Sequence, residues 1–102
     1  MLLRKKIDEI DEQILHFLRE RVDASKEIGT IKRKHGIPIR DRRRQSEVHA
    51  HVRKRSSELG LNPLEVKAIY QGIIAMCVNV QETDAASERK HGRVGAEDKL
   101  AV

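Results

Sequence analysis

Arg21 and Lys32 sit where cations are costly. The apolar residues Leu3, Ile7, Ile10, Ile14, Leu18, Val22 and Ile28 recur mostly at gaps of three and four, the signature of one face of an amphipathic helix. Followed onward from Leu18, that face passes through Arg21, Ser25, Ile28 and Lys32. Arg21 and Lys32 are eleven residues apart, so they lie about 20° apart around a helix axis. Buried cations need anionic partners, and no acidic residue shares their line. The residue types therefore point to capture of an anion from outside the chain. Arg4, Asp41, Arg44, Gln45, Cys77 and Gln81 are the other polar or reactive side chains that such chemistry could use.

The elements that must position them are helices. The stretch from Leu3 to about Lys34 contains no proline and only Gly29 as glycine. It predicts one very long helix, ended by Gly36, Ile37 and Pro38, since proline disfavours helical geometry at the residue before it. Asp41 reads as the N-cap of a second helix from about Arg42, with sparse apolar positions at Val48, Val52 and Leu59 and a stop at Gly60. Asn62, Pro63 and Glu65 form a strong start signal for a third. That helix carries Val66, Ile69, Tyr70, Ile73, Ile74, Cys77 and Val80 on one face and should run to about Gln81 or a little beyond. The expected architecture is all-α: three helices per chain, one very long, in a helical domain over residues 1–82. Residues 83–102 are rich in charge and small residues, and are expected to form a flexible tail or weak helical extension.

The length of the first helix has a consequence. About 32 residues make a rod of roughly 48 Å, whereas a compact 100-residue domain has a radius of gyration near 13 Å. The rod must overhang its own domain, so its apolar positions need a second chain. The expectation is an intertwined, two-fold homodimer. Arg4 precedes Arg21 by seventeen residues, roughly 25 Å along the axis and about 100° around it. The two cannot grip one small ligand within a chain, but Arg4 of one chain could approach Arg21 and Lys32 of the other.

Composition narrows the classes. The 102 residues allow one domain, 36% of them are charged, and the net charge is +5. One Phe, one Tyr and no Trp leave a core of Ile, Leu, Val and Ala, which suits helices packed on helices. Cys77 is the only cysteine, which excludes an intrachain disulfide and a cysteine-based metal site. His16, His35, His49, His51 and His91 show no metal-ligand spacing. Two leucines followed by charges do not make a signal peptide, and no apolar run approaches a membrane span. A soluble, cytoplasmic protein with no membrane partner is the expectation.

Five segments in order resemble one family. Leu3-Arg4-Lys5-Lys6-Ile7-Asp8 with Ile10-Asp11 is similar to its opening, and Leu18-Arg19-Glu20-Arg21 follows. Gly29-Thr30-Ile31-Lys32 matches the segment with the active-site lysine. Ile37-Pro38-Ile39-Arg40-Asp41 with Arg44 matches a loop and second-helix start. Tyr70-Gln71-Gly72-Ile73-Ile74 with Gln81 matches the third helix. The chain thus resembles the all-helical class of chorismate mutases from about Leu3 to Gln81. The resemblance implies an intertwined dimer with two active sites, no cofactor and no metal. It implies the Claisen rearrangement of chorismate to prephenate, in phenylalanine and tyrosine biosynthesis.

The resemblance also assigns roles. Arg21, and Arg4 from the partner chain, would hold the two carboxylates of the dianionic substrate by paired charge-assisted hydrogen bonds. Lys32 and Gln81 would donate to the ether oxygen as the C–O bond breaks. Asp41 would lie near the substrate hydroxyl, and Arg44 would add positive potential. Two positions depart from the family pattern. Gln45 stands where glutamate is usual and accepts without charge. Cys77 stands where a small hydroxyl is frequent, and a thiol is a weaker donor. Glu47 does not replace that glutamate, because two further residues turn it about 200° around the helix.

Blander readings compete. Taken singly, Arg21, Lys32 and Arg4 read as snorkelling or solvated surface side chains, Asp41 as a cap and Cys77 as a small core residue. Arg40, Arg42, Arg43 and Arg44 could form a nucleic-acid patch. No aromatic interleaves with them for stacking and no helix-turn-helix spacing is present, so nucleic acid is not expected as a partner. The functional alternatives are an isochorismate pyruvate lyase on the same scaffold and, from another class, a non-catalytic basic helical dimer that binds nucleic acid.

Overall fold

A computed structural model of the chain describes residues 2–90, in three helices: α1 (Leu2–Lys34), α2 (Arg42–Glu58) and α3 (Pro63–Lys90). Among the described residues there is no strand. Each helix boundary has a local cause. At the end of α1, the Gly36 amide donates to the Arg33 carbonyl at 3.3 Å and the Ile37 amide to the Lys32 carbonyl at 2.7 Å. These are the paired bonds of a Schellman motif, and they need Gly36 at φ +66°, where a Cβ would be strained. The end of α2 repeats the device: Gly60 and Leu61 amides donate to Ser57 and Ser56 carbonyls at 3.2 and 2.8 Å, with Gly60 at φ +73°.

The starts are capped as their residues predict. Asp41 has extended backbone geometry and its side chain accepts from the Arg44 amide. Asn62 Oδ1 accepts from the Leu64 and Glu65 amides at 3.0 and 3.3 Å. Pro63 follows as the first residue of α3, where its missing N–H leaves nothing unpaired. The third helix runs on past Gln81 to Lys90, so residues 83–90 take the alternative of a helical extension, because residues 82–90 lack an apolar face but also lack glycine and proline. Periodicity ends there while helix propensity does not. The rest of the expected tail, residues 91–102, lies outside the described residues.

Both α1 and α2 pack on α3. The buried apolar residues are few: Val52 on α2, and Cys77 and Val78 on α3. Ser25, Ser56 and Gln81 are buried polar residues. The N-terminal half of α1 touches little. Leu3, Ile7, Ile10 and Ile14 are all exposed, Ile7 to 56%. The chain measures 53 × 33 × 19 Å with a radius of gyration of 17.3 Å, well above the ~13 Å of a compact domain this long. The long dimension matches the roughly 50 Å of α1 itself. Among the described residues, no helix is long and apolar enough to cross a membrane.

Candidate active site

The C-terminal half of α1, the start of α2 and the C-terminal half of α3 line an open cavity of about 290 Å³, close to the lower limit for small-ligand sites. From α1 come Arg21, Ser25 and Lys32; from α2, Gln45 and Arg44 with the capping Asp41; from α3, Cys77 and Gln81. Of the residues singled out in the sequence, all but Arg4 meet here. Arg4 is exposed, on the overhanging part of α1, roughly 25 Å along the axis from Arg21.

Lys32 is fixed by the helix end it belongs to. Its carbonyl is tied to Ile37, and its Nζ donates to the Ile39 carbonyl at 2.7 Å. One ammonium proton is thereby used and two remain for a ligand. Arg21 is half-buried, and its Nη1 donates to Cys77 Sγ at 2.9 Å. Sulfur is a weak acceptor, so this contact orients the guanidinium without neutralising it. Among the described residues, neither Arg21 nor Lys32 has a carboxylate partner. Arg44 faces Glu47 at 3.5 Å on the exposed side. Asp41 Oδ1 is occupied by the Arg44 amide at 3.0 Å. The cavity lining thus holds three cations against one carboxylate already serving as a cap.

Gln81 is, like Ser25, only 6% exposed. Its Nε2 donates to Ser25 Oγ at 2.7 Å, and Ser25 Oγ donates to the Cys77 carbonyl at 3.1 Å. A hydroxyl has one proton; with that proton directed to the Cys77 carbonyl, Ser25 accepts from Gln81 Nε2, whose second proton has no partner among the described residues. Gln81 Oε1 is buried without a hydrogen-bond partner, an orphan acceptor of the kind that asks for a ligand or water. Ser25 has no role assigned by the motifs, and its place on the stripe between Arg21 and Lys32 is the signal in the sequence that marks it.

The lining contains no histidine, and the Ser25 hydroxyl is committed to a carbonyl. Nothing here resembles an activated nucleophile with its base. The arrangement suits clamping of a polyanion and stabilisation of negative charge that grows on it. The type II chorismate mutase family matches residues 3–82. The chain belongs to that family. The match takes in Arg4, Gln81 and every candidate between them.

Relatives agree. The chain is 39% identical over 83 residues to a bifunctional chorismate mutase/prephenate dehydratase of Aquifex aeolicus, covering 78% of this chain and 23% of that protein. It is 43% identical over 56 residues to a chorismate mutase of Methanocaldococcus jannaschii, covering 55% of this chain and 57% of that protein. It is 29% identical over 85 residues to a 4-amino-4-deoxychorismate mutase of Streptomyces pristinaespiralis, covering 83% of this chain and 66% of that protein. The chain therefore spans between 23% and 66% of the length of these relatives. Among solved structures, a conserved hypothetical protein from Pyrococcus furiosus superposes with a TM-score of 0.60 at 35% identity. That alignment covers 78% of this chain and 91% of the other.

Proposed function

We propose that this chain is a chorismate mutase, catalysing the Claisen rearrangement of chorismate to prephenate for phenylalanine and tyrosine biosynthesis. The observation that carries the reading is the convergence of Arg21, Lys32 and Gln81 on one cavity, with no protein carboxylate neutralising the two cations. A dianionic substrate supplies the missing charge. Arg21 binds one carboxylate. Holding both carboxylates selects the compact conformer in which the two bond-forming carbons meet. As the C–O bond breaks, negative charge grows on the ether oxygen. Lys32 Nζ and the free Nε2 proton of Gln81 are the donors for it, and such donors act mainly in the transition state. No proton is transferred, so no general base is required.

The second carboxylate needs a further cation, and we assign it to Arg4 of a partner chain in a two-fold dimer. Supporting this are the exposed Leu3, Ile7, Ile10 and Ile14 on the same overhanging segment as Arg4. The functional domain in this reading is residues 1–82. Gln45 and Asp41 would meet the substrate hydroxyl, and Cys77 would lie beside a carboxylate with Arg21. The Streptomyces relative is named for an amino substrate. Here the lining holds a neutral Gln45 and one capping carboxylate, Asp41, among three cations, and this excess of positive charge favours a hydroxyl over an ammonium at that place. A cytoplasmic location fits the reading, since the lone Cys77 thiol suits a reducing compartment.

The test is an ultraviolet assay of the purified protein with chorismate, with Lys32→Ala alongside. Loss of chorismate with appearance of prephenate, reduced roughly 10²-fold or more in Lys32→Ala, is the expected outcome. A folded wild type that leaves chorismate intact overturns the reading. Turnover of isochorismate to pyruvate in its place would assign the scaffold to the lyase.

A further inference from the structure

Gly29 is the residue of α1 for which the helix itself offers no reason. Glycine inside a helix is destabilising relative to alanine. Gly29 is not among the glycines with positive φ, which are Gly36 and Gly60, so its backbone does not require glycine. It is buried, and its surroundings explain it. A Cβ built there would stand 2.7 Å from Gln81 Cγ and 3.2 Å from Gln81 Cβ, well inside van der Waals contact. The atoms met are at the root of the Gln81 side chain, not at its tip. Turning Gln81 about its Cα–Cβ bond clears Cγ but carries Nε2 away from Ser25, and the Cβ contact is relieved only if α1 and α3 move apart.

The neighbouring turns of α1 hold the same residue. Four residues before Gly29, Ser25 Oγ accepts from Gln81 Nε2 at 2.7 Å. Four residues after it, Arg33 Nη1 donates to the Gln81 backbone carbonyl at 3.4 Å. Three consecutive turns on one face of α1 thus grip Gln81 at its amide, its Cγ and its carbonyl. We propose that Gly29 is a positioning residue for Gln81: its absent side chain is the seat that lets the amide reach Ser25 and present its second proton to the ligand. The proposal rests on the mutase reading for the consequence of misplacing Gln81, but not for the contact itself.

The experiment is a double-mutant cycle of Gly29→Ala and Gln81→Ala, read by kinetics and by NMR of the Gln81 side-chain amide. That resonance is identified by its loss in Gln81→Ala. Expected is a fall in kcat of at least about tenfold in Gly29→Ala, with KM changed far less, since the lost interaction belongs to the transition state. In the Gln81→Ala background, adding Gly29→Ala should change kcat by less than about twofold, because residues acting through one another are not additive. The Gln81 amide resonance should move in Gly29→Ala. Equal loss in both backgrounds, or an unmoved resonance, overturns the proposal and makes Gly29 a helix-packing residue only. Should Gly29→Ala alone fail to fold, the double variant decides: it removes Cγ and must fold, and its failure also overturns the proposal. If the wild type does not turn over chorismate, the NMR arm still judges the contact, and only the mutase reading falls.

Discussion

Gln81 is an amide, with no proton to lose through neutral pH, and this shapes how the site should respond to acid. A carboxyl group in its place would have to be protonated to donate a hydrogen bond to the ether oxygen. With Gln81 as donor and no histidine in the lining, kcat should stay nearly flat from mildly acidic to neutral pH, measured as a pH–rate profile on chorismate. A steep fall through that range would show that a titrating group replaces Gln81 in the role proposed for it. At this scale the sequence was informative about residue type and poor about partnership. Arg21, Lys32 and Gln81 could be named from their spacing and the family resemblance. That Ser25 fixes the amide, and that Arg21 leans on the Cys77 sulfur, depends on two helices meeting whose residues are 56 apart in sequence.

The loop between α1 and α2 shows how an element end becomes part of a site. Lys32 lies in the last turn of α1, its carbonyl closes the Schellman motif on Ile37, and its Nζ reaches the Ile39 carbonyl. The same few residues end one helix, aim a cationic side chain and deliver Asp41 to cap the next. Gly36 holds this together by its φ of +66°, and no atom lies within 4 Å of where its Cβ would be. Gly36→Ala therefore meets a backbone penalty without a clash. It should lower stability by about 1–2 kcal/mol, read by urea denaturation. Unchanged stability would mean that the loop adopts another path. The caps and glycine stops were legible in the sequence because they are local. The continuation of α3 to Lys90 was legible only as one of two alternatives, since apolar periodicity ends before helix propensity does.

As a whole, the molecule is long for its mass, and an apolar row on α1 lies uncovered among the described residues. Leu3, Ile7, Ile10 and Ile14 stay exposed along α1, and about 25 Å of helix separates Arg4 from the cavity. In the proposed dimer each site combines Arg21 of one chain with Arg4 of the other. Arg4→Ala and Arg21→Ala chains, each nearly inactive alone, should then recover activity when mixed, unfolded and refolded together. Random pairing makes half the dimers mixed, and each mixed dimer has one intact site of two, so recovery should approach about a quarter of wild-type activity. Mixtures no more active than the parents would exclude a shared site.

What the sequence determined by itself was local or periodic. Helix number, capping residues, glycine stops and the cationic interruption of an apolar stripe depend on spacings of three to eleven residues, which fix direction around a helix axis. The family resemblance added the reaction and the roles. Tertiary structure alone decided which of those directions converge. It brought Arg21, Lys32, Gln45, Cys77 and Gln81 around one cavity, oriented the Gln81 amide through Ser25, and gave Gly29 its meaning. The physical reason is distance along the chain: steric fit between α1 and α3 depends on residues half a chain apart, and no local pattern encodes which backbone will press against which side chain.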